Sequence, residues 1–433
     1  MVVGRKAGYM NSPVPLHVLM LTDDYPPGML TGVGRYTKEL AESLSELGVE
    51  VCVVKGGSVD DGLVRGRLAL LGVDLPPAFA SLGWKEGPFN LPHLVHVNLA
   101  MVQRILATDG PRYDVVHMHD IFAALAGLTV AKILGLPTVL TKHFCLTSPR
   151  GDHLAGDSLK YFMALEEWSL QSADQLIAVS SHVQRVIQNR NDRLGEKCVV
   201  ITGGTNIGTA RPSDDRAMSR ERLALRLGVK RPLGFILLHV SRLVPVKGAD
   251  ISLHALASLM RDAPACDPQL VLIGAGPAPT EQYLRELSSQ LGVADRLYFG
   301  GPEHSRSTLA DLYRAADAVM VPSRADWFPL VVAEATTLRC LVLAADVGGI
   351  REQIVHMQNG LLFRHGQDAA MSGTALAGLV RWVMRNPAQA SRIAGYGPLR
   401  GEDAYSWPRV ASDIVRIYHD TITRYGINIA RLG

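Results

Sequence analysis

Short apolar runs alternate with longer amphipathic stretches along nearly the whole chain. LHVLML (16–21), VEVCVV (49–54), DVVHMH (114–119), PTVLT (137–141), QLIAVS (175–180) and CVVI (198–201) have the length and β-branched content of strands. Several show little in/out alternation, which is the pattern of strands covered on both faces of a parallel sheet. Between them lie segments such as RYTKELAESLSEL (35–47), whose apolar positions repeat at helical spacing and stop at Gly48. Strands alternating with helices predict βαβ units and a doubly wound sheet.

The regularity lapses after residue 205, in the polar, prolyl stretch NIGTARPSDDRAMSRE. A second series then begins with GFILLHVS (234–241), QLVLIG (269–274), RLYFG (296–300), AVMVPS (318–323), CLVLAAD (340–346) and GLLF (360–363). The expected organisation is an N-terminal Rossmann-like domain (1–205), a connection (206–230), a second Rossmann-like domain (231–404) and a closing helix (405–433). Ligands of open parallel sheets sit outside the carboxyl ends of the strands, so two such halves predict a cleft between them.

Composition narrows the classes. At 47% apolar and 20% charged, the 433 residues have ample material for full cores, and disorder is excluded as the main state. A net charge of +3 and 6% aromatics argue against a nucleic-acid surface. Cys52, Cys145, Cys198, Cys266 and Cys340 are scattered without C-x-x-C spacing, so reduced thiols in a cytoplasmic chain are expected. The N-terminus lacks the apolar core of a signal peptide. The most apolar later stretch is cut by Lys132 and Pro137, so no integral membrane segment is expected.

Four places could carry chemistry. Gly32 and Gly34 precede the first helix, where backbone amides can approach an anion. GVGRYT nearly fits a dinucleotide fingerprint, but it lies about ten residues beyond its strand, and Lys55 stands where a ribose-binding acid belongs. An NAD-dependent oxidoreductase is thus a weaker alternative, and an ordinary glycyl turn is another. Arg242 and Lys247 follow a strand and precede a helix, a placement that suits a pyrophosphate. Asp326 and Glu334 flank the start of a later helix, and Glu334 sits in the apolar run VVAEA, where a carboxylate needs partners. His143 ends a strand; His117 and His119 share a strand face with no third ligand at metal spacing, so structural placement is expected for that pair. Asp23-Asp24 reads as loop-ordering or acceptor-facing, and no metal site is expected.

Taken in order, YPPGMLTGVGRYTKEL, YDVVHMHD, GLPTVLTKH, ADQLIAVSSHV, VSRLVPVKG, LIGAGP, LADLYRAADAVMVPS, the acid-x7-acid element ending at Glu334, GGIREQI and SWPRVASDIVRIY resemble the family 4 glycosyltransferases over nearly the whole chain. That resemblance implies a retaining enzyme of two-Rossmann GT-B architecture, its two domains facing across a cleft. It implies a nucleotide diphosphate sugar as donor; with Arg242, Lys247 and a helix end at the leaving phosphate, no cofactor or metal is expected. Gly32 and Gly34 then face the donor diphosphate, and Arg242 and Lys247 neutralise it. The amides of Leu330 and Val331 donate to its phosphate. Glu334 holds the ribose, Asp326 contacts sugar hydroxyls, and His143 lies near sugar and acceptor. The closing segment resembles the family's helix that crosses back to the first domain.

The chain departs from the family pattern. Asp326 replaces Glu, Pro329 replaces Gly, Ser241 replaces the Gly before the arginine, and ITGGTN (201–206) stands in place of an asparagine-glycine pair. A sugar-nucleotide-binding protein without transferase activity is therefore kept as an alternative. The amphipathic stretch LPHLVHVNLAMVQRIL (91–106) carries one arginine and no lysine, which favours a small soluble acceptor over a membrane lipid.

Overall fold

The computed structural model of the chain describes residues 15–26, 31–57, 59, 62–73, 90–108, 112–146, 157–209, 216–229, 233–399 and 401–432. The first sheet contains β1 (His17–Thr22), β2 (Glu50–Gly56), β3 (Gly62–Arg65), β4 (Leu68–Val73), β5 (Val115–His119), β6 (Thr138–Lys142), β7 (Gln175–Ala178) and β8 (Cys198–Val200). Their order is β3-β4-β2-β1-β5-β6-β7-β8, all parallel except β3, which pairs antiparallel with β4. The second sheet contains β9 (Phe235–Val240), β10 (Pro268–Ile273), β11 (Leu297–Gly301), β12 (Ala318–Val321), β13 (Val342–Ala345) and β14 (Leu361–Phe363). Its order is β11-β10-β9-β12-β13-β14, and every pairing is parallel.

This is the α/β architecture that the alternating pattern predicts. The hairpin β3–β4 is the exception. Its two short strands are joined by Gly66 and Arg67 with no helix between them, so they fall outside the strand–helix alternation.

The strand order reverses between β1 and β5 in one sheet and between β9 and β12 in the other. These are the two crevices where a doubly wound sheet takes ligands. Both sheets are covered on two faces. In the second, Leu237, Leu270 and Leu272 belong to one core, while Ile236, Leu238 and Val271 belong to the other. Alternation thus survives as a choice between two apolar environments, which explains why those strands look uniformly apolar.

The last helix, Trp407–Leu432, follows the second sheet in sequence but packs into the core of the first. Trp407, Val410, Ala411, Ile414 and Tyr418 fall on one helical face and are all buried there. The Trp407 ring meets Tyr36 of the first helix (Gly32–Glu46) edge-on, with centroids 5.0 Å apart. Among the described residues no helix is long and apolar enough to cross a membrane.

Trp407 is the largest side chain in this docking face, so Trp407→Ala should cost about 3–5 kcal/mol by cavity formation. A fall in thermal midpoint checks this; an unchanged midpoint would show that the helix is not anchored at this ring.

Candidate functional site

At the carboxyl end of β9, Arg242 opens a loop closed by the short turn Pro245–Lys247. Arg324 ties that loop to the segment after β12. Its guanidinium grips both carboxylate oxygens of Asp250 at 3.0 and 2.6 Å, and its amide donates to the Val246 carbonyl at 2.8 Å. This brings Lys247 onto Asp326, with Nζ 2.6 Å from Oδ2, while the Ser323 hydroxyl donates to the same oxygen at 3.0 Å. Gly348 and Gly349 pack directly under this turn. A Cβ on either would overlap the carbonyl oxygen of Asp326 or Trp327, and the Gly349 amide donates to the Asp326 carbonyl at 2.9 Å. The glycine pair of GGIREQI is thus required by close backbone approach.

Arg242 is exposed to solvent yet crowded by protein, the mark of a side chain standing in a cleft. Desolvation pulls its pKa down, while Asp326 on its own half and Asp24 on the other oppose that shift. The helix Leu330–Thr337 begins beside it. Pro329 caps that helix without a side-chain hydrogen bond, which leaves the Leu330 and Val331 amides at an uncapped N-terminus. Glu334 lies in its second turn, with its side chain only 5% exposed. The Tyr313 hydroxyl donates to Oε2 at 2.7 Å, and Arg35 of the opposite half donates to Oε1 at 2.7 Å.

Gly32 and Gly34 stand inside the first helical turn rather than ahead of it, because Thr31 is the N-cap. The Gly34 amide is held by the Thr31 hydroxyl at 3.4 Å and by the Asp24 carboxylate, which also accepts from the Thr31 amide. A Cβ on Gly34 would sit 2.5 Å from that carboxylate, whereas among the described residues nothing lies within 4 Å of one on Gly32. Asp24 therefore fills part of this helix N-terminus. Asp23 is pushed up to about 7 by burial and by Asp24, against Lys55.

His143 follows β6 in the first half. Its Nε2 lies 3.1 Å from His119 Nδ1, and the Tyr36 ring stands edge-on to it at 4.6 Å. His117, on the same face of β5 as His119, bonds Tyr418 of the last helix and Thr141, each at 2.7 Å. The two strand histidines thus connect His143 to the core. Burial drops His117 and His143 to about 3, so these imidazoles are neutral at ordinary pH. Behind them Lys142 is fully buried between Asp120 (2.8 Å) and Glu166 (3.0 Å), and Arg190 also pairs with Glu166. Burial alone would lower the Lys142 pKa, but the two carboxylates reverse that and raise it. Asp120 also accepts from the His143 amide at 3.2 Å, which fixes the strand end that carries the imidazole. Among the described residues no three His, Cys, Asp or Glu side chains are disposed to hold a metal ion.

Motif reading of the sequence missed Arg35, Tyr313, Lys142 and Glu166. It missed two further cross-cleft contacts: Glu352 accepting from the Ser181 and His182 amides at the N-terminus of helix Ser181–Gln188, and Trp327 stacked on His182 at 5.0 Å. Arg35 lies inside GVGRYT, so only its charge within a glycine-rich motif could have signalled it.

Two doubly wound domains that face each other, with cations and an uncapped helix at one carboxyl edge, define the architecture of GT-B glycosyltransferases. The profile described as Glycosyl transferases group 1 matches residues 229–400, and that of Glycosyltransferase Family 4 matches residues 30–208. The D-inositol 3-phosphate glycosyltransferase of Frankia alni is 32% identical over 406 residues, covering 90% of this chain and 95% of that protein. Its namesake from Jonesia denitrificans is 29% identical over 418 residues, covering 92% and 93%. The chain belongs to glycosyltransferase family 4. In structure it resembles the Anabaena protein HepE, crystallised with UDP and glucose (TM-score 0.71, 22% identity, covering 92% of this chain and 98% of HepE). It also resembles sucrose-phosphate synthase from Thermosynechococcus elongatus (TM-score 0.78, 21% identity, covering 94% and 100%).

The neutral histidines make a signed prediction. His117 titrates near 3 in the fold against 6.5 ordinarily, so its contribution is complete above pH 6.5 and is lost as pH falls toward 3. Asp23 and Asp120, raised to about 7 and about 6, act in the opposite sense. The comparison with His117→Gln isolates the histidine. Between pH 6 and 4 the wild type should lose about 1.4 kcal/mol per pH unit more than the variant, measured by urea unfolding.

Proposed function

We propose that the chain is a retaining glycosyltransferase that moves a sugar from a nucleotide diphosphate sugar to a small polyol-like acceptor without a metal. One observation carries this reading: Arg242, Lys247, the Leu330–Val331 amides and Glu334 converge on one carboxyl edge of the second sheet. Two fixed cations and a helix N-terminus suit a departing diphosphate, and the developing negative charge is what such a site stabilises. Glu334 is the ribose acid of this reading and Asp326 the sugar-hydroxyl acceptor. Gly32 keeps open space at the first helix, toward the phosphates.

His143, neutral and on the opposite wall, lines the place where sugar and acceptor meet. No carboxylate in this arrangement is assigned as a covalent nucleophile. The acceptor attacks on the face the diphosphate leaves, and a phosphate oxygen takes its proton. The resulting diphosphate stays paired with Arg242 and Lys247. Closure of the two halves excludes water, which would otherwise hydrolyse the donor.

The curated relatives bear the name D-inositol 3-phosphate glycosyltransferase, which supports a cyclic polyol as acceptor class. A UDP-sugar is the first donor to test, since HepE is crystallised with UDP-glucose. Five free cysteines accord with a cytoplasmic setting. The oxidoreductase reading loses support at Lys55, whose ammonium donates to the Tyr25 carbonyl at 2.8 Å where a ribose acid would be needed.

Lys247→Ala should lower kcat/KM by roughly 2–4 kcal/mol, and Arg242→Lys should also be costly because an ammonium does not reproduce a bidentate fork. Steady-state transfer assays check both; near wild-type turnover in the two variants would move the diphosphate site elsewhere. Activity should survive excess chelator. Loss with EDTA and recovery with manganese would overturn the metal-free reading.

A further inference from the structure

Glu334 is covered by two groups of unlike mobility. Tyr313 is fully buried and belongs to the core of the second half. Arg35 comes from the opposite half with its side chain 27% exposed, and it closes over the remaining oxygen. Coulombic attraction to Glu334 raises its pKa, and Glu39 adds to that. The neighbouring cavity, lined by Arg35, Glu39, Asn206, Arg306 and Glu334, has a volume of about 50 Å³. That holds a water or two and is far below the roughly 300 Å³ and more of a small-molecule pocket.

A ribose diol can therefore reach Glu334 only when something withdraws. Tyr313 is fixed by packing, so the group that withdraws is Arg35. Its freed guanidinium has an alternative partner one helical turn away in Glu39, which is already bound by Arg306 and Asn206 at 2.8 Å each. Displacement thus exchanges one ion pair for another rather than stranding a charge.

We propose that Arg35 competes with the donor ribose for Glu334, and so sets the affinity of the nucleotide site from the opposite domain. The inference rests on the reading of Glu334 as the ribose acid. By linkage, a nucleotide that displaces Arg35 also weakens this one contact between the halves, and removing this contact tightens nucleotide binding.

The test is calorimetric titration of UDP, GDP and ADP into the wild type, Arg35→Met, Glu334→Gln and the double variant. The nucleotide that binds is then compared with its 2′-deoxy form. Arg35→Met should bind it roughly tenfold more tightly than the wild type, even if its thermal midpoint falls. The gain should vanish in the double variant, because Glu334 is the contested group. Unchanged or weaker binding by Arg35→Met overturns the competition. If the wild type does not discriminate against the 2′-deoxy nucleotide, the ribose role of Glu334 fails and the inference with it. Discrimination without tightening in Arg35→Met sinks the inference alone. Failure of every protein to bind any of the three nucleotides overturns both.

Discussion

Parallel sheets covered on both faces leave few places for polar chemistry. Most strand side chains here are committed to one apolar layer or another, and backbone hydrogen bonds join the strands. What remains is the carboxyl edge, where loops enter helices and amides lack partners. Each assigned group lies at such an edge or at the helix that follows: His143 after β6, Arg242 and Lys247 after β9, Asp326 and Glu334 after β12. The fold does not create the chemistry, but it dictates its address.

That concentration puts opposite charges close together in a cleft of reduced solvation, where they settle against one another. Lys247 holds Asp326, and Arg35 holds Glu334. Arg242 feels both Asp326 and Asp24. A half-buried charge without a partner is expensive, so the charges of the site neutralise one another. On the reading proposed above, donor binding is an exchange of these ion pairs rather than the filling of a waiting hole, and its net free energy is smaller than the new contacts alone would give.

The strands that form the two sheet interiors were legible in the sequence because buried parallel strands are apolar throughout and short. The hairpin β3–β4 was not, since its two short antiparallel strands are joined by Gly66-Arg67 with no helix between them and so fall outside the strand–helix alternation. Arg242, Lys247, Asp326 and Glu334 were legible because each sits at a fixed offset from a strand or helix end. Arg35, Tyr313 and Glu166 were not. Their partners lie 299, 21 and 24 residues away, and nothing local to each residue encodes such a pairing. The same holds for His117 and His119. Their strand face was visible, but the Tyr418 hydroxyl that fixes His117 arrives from 301 residues downstream.

The first helix is where these separate constraints meet. Its N-terminus is ordered by Asp24 through the Thr31 and Gly34 amides. One residue on, Arg35 reaches Glu334 in the other domain, while Tyr36 turns inward onto His119, His143 and Trp407. A turn later Glu39 takes Arg306 and Asn206. Helical geometry separates successive side chains by about 100°, so positions 35 and 36 necessarily face different partners, while 35 and 39 share a side. A rigid shift of this one helix therefore moves Arg35 at Glu334 and the wall against His143 together. On the reading proposed above, this single element links donor recognition in one domain to acceptor geometry in the other, with no chain of intermediate residues required.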